Sequence, residues 1–413
     1  MTMKTDLERA IEALRAKQEL YNGYWEYYRG EHPLVYATEQ LREVFRGLTM
    51  NFVENWCALV VNVPLERLVL DRLDVAGDAE LSEVLHELWD ELDLSLDADD
   101  AHEGLLVTGE AFFVGWVGAD GRPEVFFNDS RLCHAFYEAD NPRVMRYAAK
   151  WWRDDGGVVH LNLYYADRVE TYSSRTGAVG GYELVGMVKN PFGIVPVFHL
   201  QSGRIPRSVL EDALPLQAAI NKLLADGMVA AEYGAFRQRW VISNADVAGL
   251  RNSPNEIWNL PAGDGMGQAT SVGEFGQTQL SNYESSIERR IGALSAITRI
   301  PSHYFFRTSQ PPSGEALMVM EAPLTKRIKR LEQRLVPVWQ ALGAFLLRGV
   351  GYAVPASAIE AVYAESATVQ PRTEAEIRQL TVAAGVPLVT QLRREGWSDA
   401  ALKQLLGDQR ERF

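Results

Sequence analysis

Apolar positions in the first thirty residues fall at helical intervals: Leu7, Ile11, Leu14, Tyr21, Trp25 and Tyr28 recur at steps of three, four or seven. The spacing predicts a helix from Thr5 to about Tyr28, opened by a Thr5/Glu8 capping-box pair and stopped by Gly30 and His32-Pro33. Its tyrosine-rich end, an aromatic stripe at helical spacing, reads as core rather than partner surface. The stretch from Asn51 to Leu68 is expected to be a second helix, ending near Pro64. From Asp71 to Glu103 the only Lys or Arg is Arg72. There Leu81, Leu85, Leu88, Leu92 and Leu94 mark the buried side of an acidic, solvated helical face.

Between about Leu105 and Leu200 the period changes. Ala111–Val117, Glu124–Phe127, Val158–Tyr165 and Val195–Leu200 read as strands, separated by Asp120-Gly121, Asp155-Gly156-Gly157 and Gly180-Gly181. An antiparallel, meandering sheet follows from that pattern. After Pro206 the helical period returns, and Ser208 to about Trp240 reads as one helix of roughly 30 residues, about 45 Å long. It is crowded with small side chains, among them Ala213, Ala219, Ala225, Gly227, Ala231 and Gly234. A glycine inside a helix costs roughly 1 kcal/mol relative to alanine, so close approach of a neighbouring helix is expected to offset it.

Val241–Gly276 reads as loop with short strands, and Thr278 to about Ile300 as another helix ended by Pro301. Thr308–Gly314 is a breaker-rich loop. A very long helix then runs from Ser313 to about Arg348, with kinks expected at Pro323 and Pro337. From Thr373 two or three short helices are expected, with a Thr373/Glu376 capping pair and Ser398 as a further cap. The fold class is α+β.

Composition narrows the function classes. A chain of 413 residues, 47% hydrophobic, has room for two to four structural units, and ten tryptophans spread from Trp25 to Trp397 argue for a fold running nearly end to end. No signal peptide and no bilayer-spanning run is expected. Cys57 and Cys133 are too few for a disulfide framework and read as small packed side chains. The formal charge of -14 is the wrong sign for gripping phosphates. It fits a protein with no nucleic-acid partner, or a conduit whose walls let DNA slide; net charge alone leaves both open.

The spacings that catalysis and cofactor binding require are largely absent. There is no GxxxxGKS/T phosphate loop and no GxSxG elbow. His86-Glu87 and His102-Glu103 each begin a HExxH pattern, but Asp90 and Leu106 stand where the second histidine belongs. Gly263–Gly267 has a dinucleotide-like glycine spacing with its third glycine one residue early and no βαβ unit around it. Cys133-His134 are sequence neighbours in a strand, where successive side chains point to opposite faces, so they are not a nucleophile with its base. No catalytic, cofactor-binding or metal-ligating residue is assigned.

Several segments, in their order and spacing, resemble the SPP1-type family of bacteriophage portal proteins. They are YNGYWEYYRGEHPL at Tyr21–Leu34, NFVENWCALVVNVPLERL at Asn51–Leu68, NPFGIVPVFHLQSGR at Asn190–Arg204, QAAINKLLADGMVAAEYGAFRQRW at Gln217–Trp240 and SGEALMVMEAPL at Ser313–Leu324. The resemblance implies a portal fold: a mixed helical and β wing at 1–205, long stem helices at 206–240 and 277–300, and a small α/β clip at 241–276. It further implies a tunnel loop at 301–313, a kinked helix at 314–354 and a helical C-terminal crown at 355–413.

The same resemblance implies a ring, usually of twelve subunits, at one capsid vertex of the virion. It would be made in the host bacterial cytoplasm, would do no covalent chemistry and would need no cofactor. Its implied partners are double-stranded DNA, terminase, a head-tail adaptor, and the major capsid and scaffolding proteins, with no membrane. Arg307, Thr308, Ser309 and Gln310 are the expected channel residues, Ala219, Gly227, Ala231 and Gly234 the stem-packing residues, and Asn255 and Trp258 the clip-docking residues. Lys326, Arg327, Lys329 and Arg330 read as an intersubunit or solvated helix face. Two alternatives are another phage head-tail structural or adaptor protein, and a metal-dependent hydrolase built on the Asp71–Glu103 carboxylates.

Overall fold

The computed structural model describes residues 4–31, 53–118, 121–235, 239–242, 258, 271–274, 276, 279–306, 312–366, 378–394, 402 and 405. These divide into two compact units. The first draws on Met1–Trp25, Leu59–Glu211 and Arg299–Phe413, the second on Glu26–Ala58 and Asp212–Thr298.

Helix α1 spans Asp6–Arg29. Its expected capping box is formed: the Thr5 N–H donates to Glu8 Oε2 at 2.8 Å and the Glu8 N–H to Thr5 Oγ1 at 3.2 Å. In the first unit its apolar stripe lies on an antiparallel meander of five strands, β4 (Cys133–Tyr137), β5 (Met145–Arg153), β6 (Val159–Tyr164), β7 (Arg168–Ser174) and β8 (Glu183–Lys189). Ala10, Ile11 and Leu14 meet Tyr147, Ala149, Leu161 and Leu163 of that sheet. A three-stranded sheet, with β2 (Glu110–Val117) between β3 (Pro123–Asn128) and β9 (Val197–Gln201), covers the other face. There Phe112, Val114 and Val197 pack on Cys133, Ala135, Ala148, Tyr164 and Val169. Side chains of β5 therefore alternate between two apolar layers, Tyr147 and Ala149 toward one and Ala148 toward the other.

The expected meander is present, with four strands beyond those read from the pattern. β5 is covered on both faces, so its sequence shows no polar alternation. The acidic stretch is a correction: it opens as β1 (Leu70–Val75) and only then becomes α3 (Ala79–Glu91) and α4 (Leu94–Thr108). Asp78 caps α3 by accepting from the Leu81 N–H at 3.0 Å. Leu85, Leu88 and Leu94 are buried as expected, while Leu81 and Leu92 are half-buried.

The long helix α7 (Gly314–Gly349) begins one residue after the expected start, because Ser313 caps it: its Oγ accepts from the Ala316 N–H at 3.3 Å. It runs unbroken through Pro323 and Pro337. Both prolines are exposed, as are Val319 and Gln333 four residues earlier, so water can satisfy the carbonyls that lose their donors. Its inner face anchors the unit: Trp339, fully buried, meets Phe113, His102 and Trp89 edge-on and donates its indole N–H to Tyr363 Oη at 2.8 Å. Tyr363 ends β12 (Ile359–Tyr363), which pairs antiparallel with β1.

In the second unit, α5 (Leu214–Ala235) packs against α6 (Ser281–Thr298), and β10 (Arg239–Ile242) pairs with β11 (Ser271–Glu274). The expected helix Ser208–Trp240 is thus shorter. At one end Ser208 is engaged elsewhere, donating to the Val107 carbonyl at 2.5 Å within the first unit, and 209–213 form turns. At the other, Trp240 lies in β10 opposite Gly273, where a side chain would collide with the indole. Helix α2 (Trp56–Leu65) also starts later than expected, because Asn55 caps it by accepting from the Ala58 N–H at 3.2 Å. Near the C-terminus α8 covers Leu388–Arg394; the expected caps Thr373, Glu376 and Ser398 lie outside the described residues.

Candidate functional site

The α5/α6 pair carries the residues assigned to stem packing. Gly227 is used inside the chain: a β-carbon there would lie 3.6 Å from the Tyr283 side chain of α6, so the small residue lets the helices approach. Ala219 is half-buried, Ala231 is exposed, and at Gly234 no described atom lies within 4 Å of a built β-carbon. The start of α5 is pinned by Gln217, fully buried, whose Oε1 accepts from the Trp56 N–H at 2.8 Å and whose Nε2 donates to the Glu54 carbonyl at 2.5 Å and to Asn221 Oδ1 at 3.0 Å. At the strand pair, Arg239 is 3.3 Å from Glu274 and stands over the ring of Trp258, 5.7 Å from its centroid. Asn255, and all of Arg307, Thr308, Ser309 and Gln310, lie outside the described residues.

Two buried polar clusters in the first unit were not read from the sequence. In one, Lys17 of α1 donates to Glu110 Oε1 at 2.9 Å, Tyr21 donates to the same oxygen at 2.9 Å, and His199 Nε2 is 2.9 Å from Oε2. Tyr137 Oη is 2.9 Å from His199 Nδ1. Burial lowers the pKa of His199 and keeps the ring neutral, so Nε2 carries the proton toward Glu110 and Nδ1 accepts from Tyr137. Burial works against the Glu110 carboxylate, yet the His199 hydrogen bond and the Lys17 charge together bring its pKa down to about 2. The signal was available: Lys17 interrupts the apolar stripe of α1, and Glu110 opens an otherwise apolar strand.

In the other cluster, Glu321 of α7 contacts Arg67 Nη2 at 2.6 Å and His303 Nε2 at 3.0 Å. Arg67 also donates to Tyr304 Oη at 2.7 Å and to the Ser366 carbonyl at 3.1 Å. Glu321 and Arg67 thereby tie together the turn after α2, the 3₁₀ turn Ser302–Tyr304, the start of α7 and the segment after β12.

Both clusters order elements rather than expose a reactive group. Burial pushes the Cys57 and Cys133 thiols up to about 12, away from the thiolate a nucleophile needs. Among the described residues no group of His, Cys, Asp and Glu is arranged to hold a metal ion, and no helix is long and apolar enough to cross a membrane. Of the basic run on α7, Lys329 lies 3.1 Å from Glu365 on the surface, whereas Arg327 is half-buried and its pKa is lowered by burial and by the Arg299 charge.

The model of one protein family, described as phage portal protein, SPP1 Gp6-like, matches residues 14–361. The chain belongs to that family. It is a portal protein subunit, a component of a phage particle. No curated protein matches it. Among solved structures the portal chain is similar to one in the neck of an empty GTA particle computed with C6 symmetry. Identity there is 13% and the TM-score 0.46, over 90% of this chain and 94% of that one.

Proposed function

We propose that copies of this portal protein assemble into a ring, of twelve subunits in the virion, around a channel through which double-stranded DNA enters during packaging and leaves at ejection. Membership of the portal family over residues 14–361 carries the reading. Within it, 1–205 and the helix at 314–354 form the wing, 206–240 and 277–300 the stem, 241–276 the clip, 301–313 the tunnel loop and 355–413 the crown. Arg307, Thr308, Ser309 and Gln310 face the DNA. Ala219, Gly227, Ala231 and Gly234 serve stem packing, and Asn255 and Trp258 dock terminase and later a head-tail adaptor.

The work is mechanical: nucleotide hydrolysis belongs to the motor, and the channel needs a wall that guides DNA without holding it. A net charge of -14 per subunit, repeated around a ring, supports such a wall. The exposed Ala231 and the open space at Gly234 leave small-residue surface on α5 for a neighbouring copy. The ring joins the major capsid and scaffolding proteins at the portal vertex after synthesis in the bacterial cytoplasm.

Electron microscopy with native mass spectrometry of the purified full chain tests the assembly. Annular particles with a central hole are expected; monodisperse monomers at micromolar concentration would count against it.

A further inference from the structure

Beside α1, where β5 meets the segment leading into β8, the first unit holds a pocket of about 330 Å³ that none of the roles above uses. Two guanidinium groups line it. Arg15 donates to the Gly177 carbonyl and Arg153 to the Gly157 carbonyl at 3.0 Å; among the described residues neither is ion-paired with a carboxylate. The Tyr182 hydroxyl is enclosed in the same wall with no hydrogen-bond partner among the described residues. Burial raises its pKa, while Arg15 and Arg153 both act to lower it, so both cations bear on that oxygen.

The remaining wall is aromatic. Trp151 spends its indole N–H on the Arg131 carbonyl at 3.1 Å, which leaves its ring as apolar surface on the α1 side of the sheet; Trp152, the next residue of β5, turns its ring to the other face, against His160. Paired guanidinium groups select planar oxyanions, and indole faces select flat apolar bodies.

We propose that this pocket binds an aromatic carboxylate, with its oxygens on Arg15 and Arg153 and its ring against Trp151. That chemistry is common to a free aromatic acid and to the C-terminal carboxylate of a peptide ending in an aromatic residue.

Isothermal titration of the full chain at low ionic strength tests it with five probes: phenylacetate, phenylacetamide, inorganic phosphate, the peptide Gly-Gly-Phe and the same peptide as its C-terminal amide. At least one of the two acids is expected to bind about tenfold or more tighter than its amide, the difference a charge-assisted hydrogen bond supplies. Whichever acid binds tighter identifies the source. Arg153→Glu is expected to weaken that binding at least about tenfold. Any of three results overturns the proposal: acids no tighter than their amides, phosphate matching phenylacetate, or Arg153→Glu binding like the parent chain.

Discussion

Glu110 sits where three donors converge, and its depressed pKa makes it a stability determinant with a defined pH window. Its folded value near 2 lies below an unfolded value of about 4.3. Its contribution is therefore complete above about pH 4.3 and is lost as pH falls toward 2. Glu110→Gln leaves the Lys17 ammonium buried without its counter-charge and is expected to cost about 3–5 kcal/mol at neutral pH. His102 acts higher on the scale. Fully enclosed beside Trp339 and Tyr363, it is held neutral by burial, with a folded pKa of about 3 against about 6.5 unfolded. The unfolded chain then binds the extra proton, so stability declines by about 1.4 kcal/mol per pH unit as pH drops below about 6.5. Urea midpoints measured from pH 8 to 4 should fall below pH 6.5, with a shallower slope in His102→Phe and an undiminished slope above pH 4.5 in Glu110→Gln. Gly109 gives a backbone test at the same scale. It ends α4 at φ +94°, and a β-carbon there would sit 2.4 Å from the Arg207 nitrogen. Gly109→Ala is expected to lose more than about 1 kcal/mol in the same titration.

Among the elements, the α5/α6 pair depends on one missing side chain and one buried amide. Gly227→Leu inserts a side chain against Tyr283, and faster amide exchange across Ser281–Thr298 with little change in the β4–β8 meander is the expected result. Gln217→Ala leaves the Trp56 N–H and Glu54 carbonyl without their partner and should cost about 1–3 kcal/mol, read from thermal unfolding. Helices with one apolar stripe are legible in the sequence: α1 starts at the cap its sequence announces, Thr5, and α7 within one residue of its expected start at Ser313. Elements whose surroundings lie far away in sequence are not. β5 carries Tyr147, Ala148 and Ala149 toward two different layers, which erases alternation, and Ser208 was read as part of a helix although its hydroxyl is bound to Val107, 101 residues away. Lys17 and Glu110 each break an apolar pattern in the sequence, but nothing there pairs them; the fold does, across 93 residues.

For the molecule as a whole, the pairing of β1 with β12 has a temporal meaning. Leu70 faces Tyr363, and Val75 faces Ile359, so β1 must wait for a strand made about 290 residues later. At a ribosomal pace of about 5–20 residues per second, the intervening stretch of about 290 residues takes roughly 15–60 s to appear. Throughout that interval β1 presents unpaired backbone groups to whatever else is nearby. A chain stopped after Pro355 should therefore partition into the pellet on expression, while one carried through Ser366 should stay in the supernatant. Completion of the first unit is thereby tied to synthesis of the chain through Tyr363, long after β1 has left the ribosome.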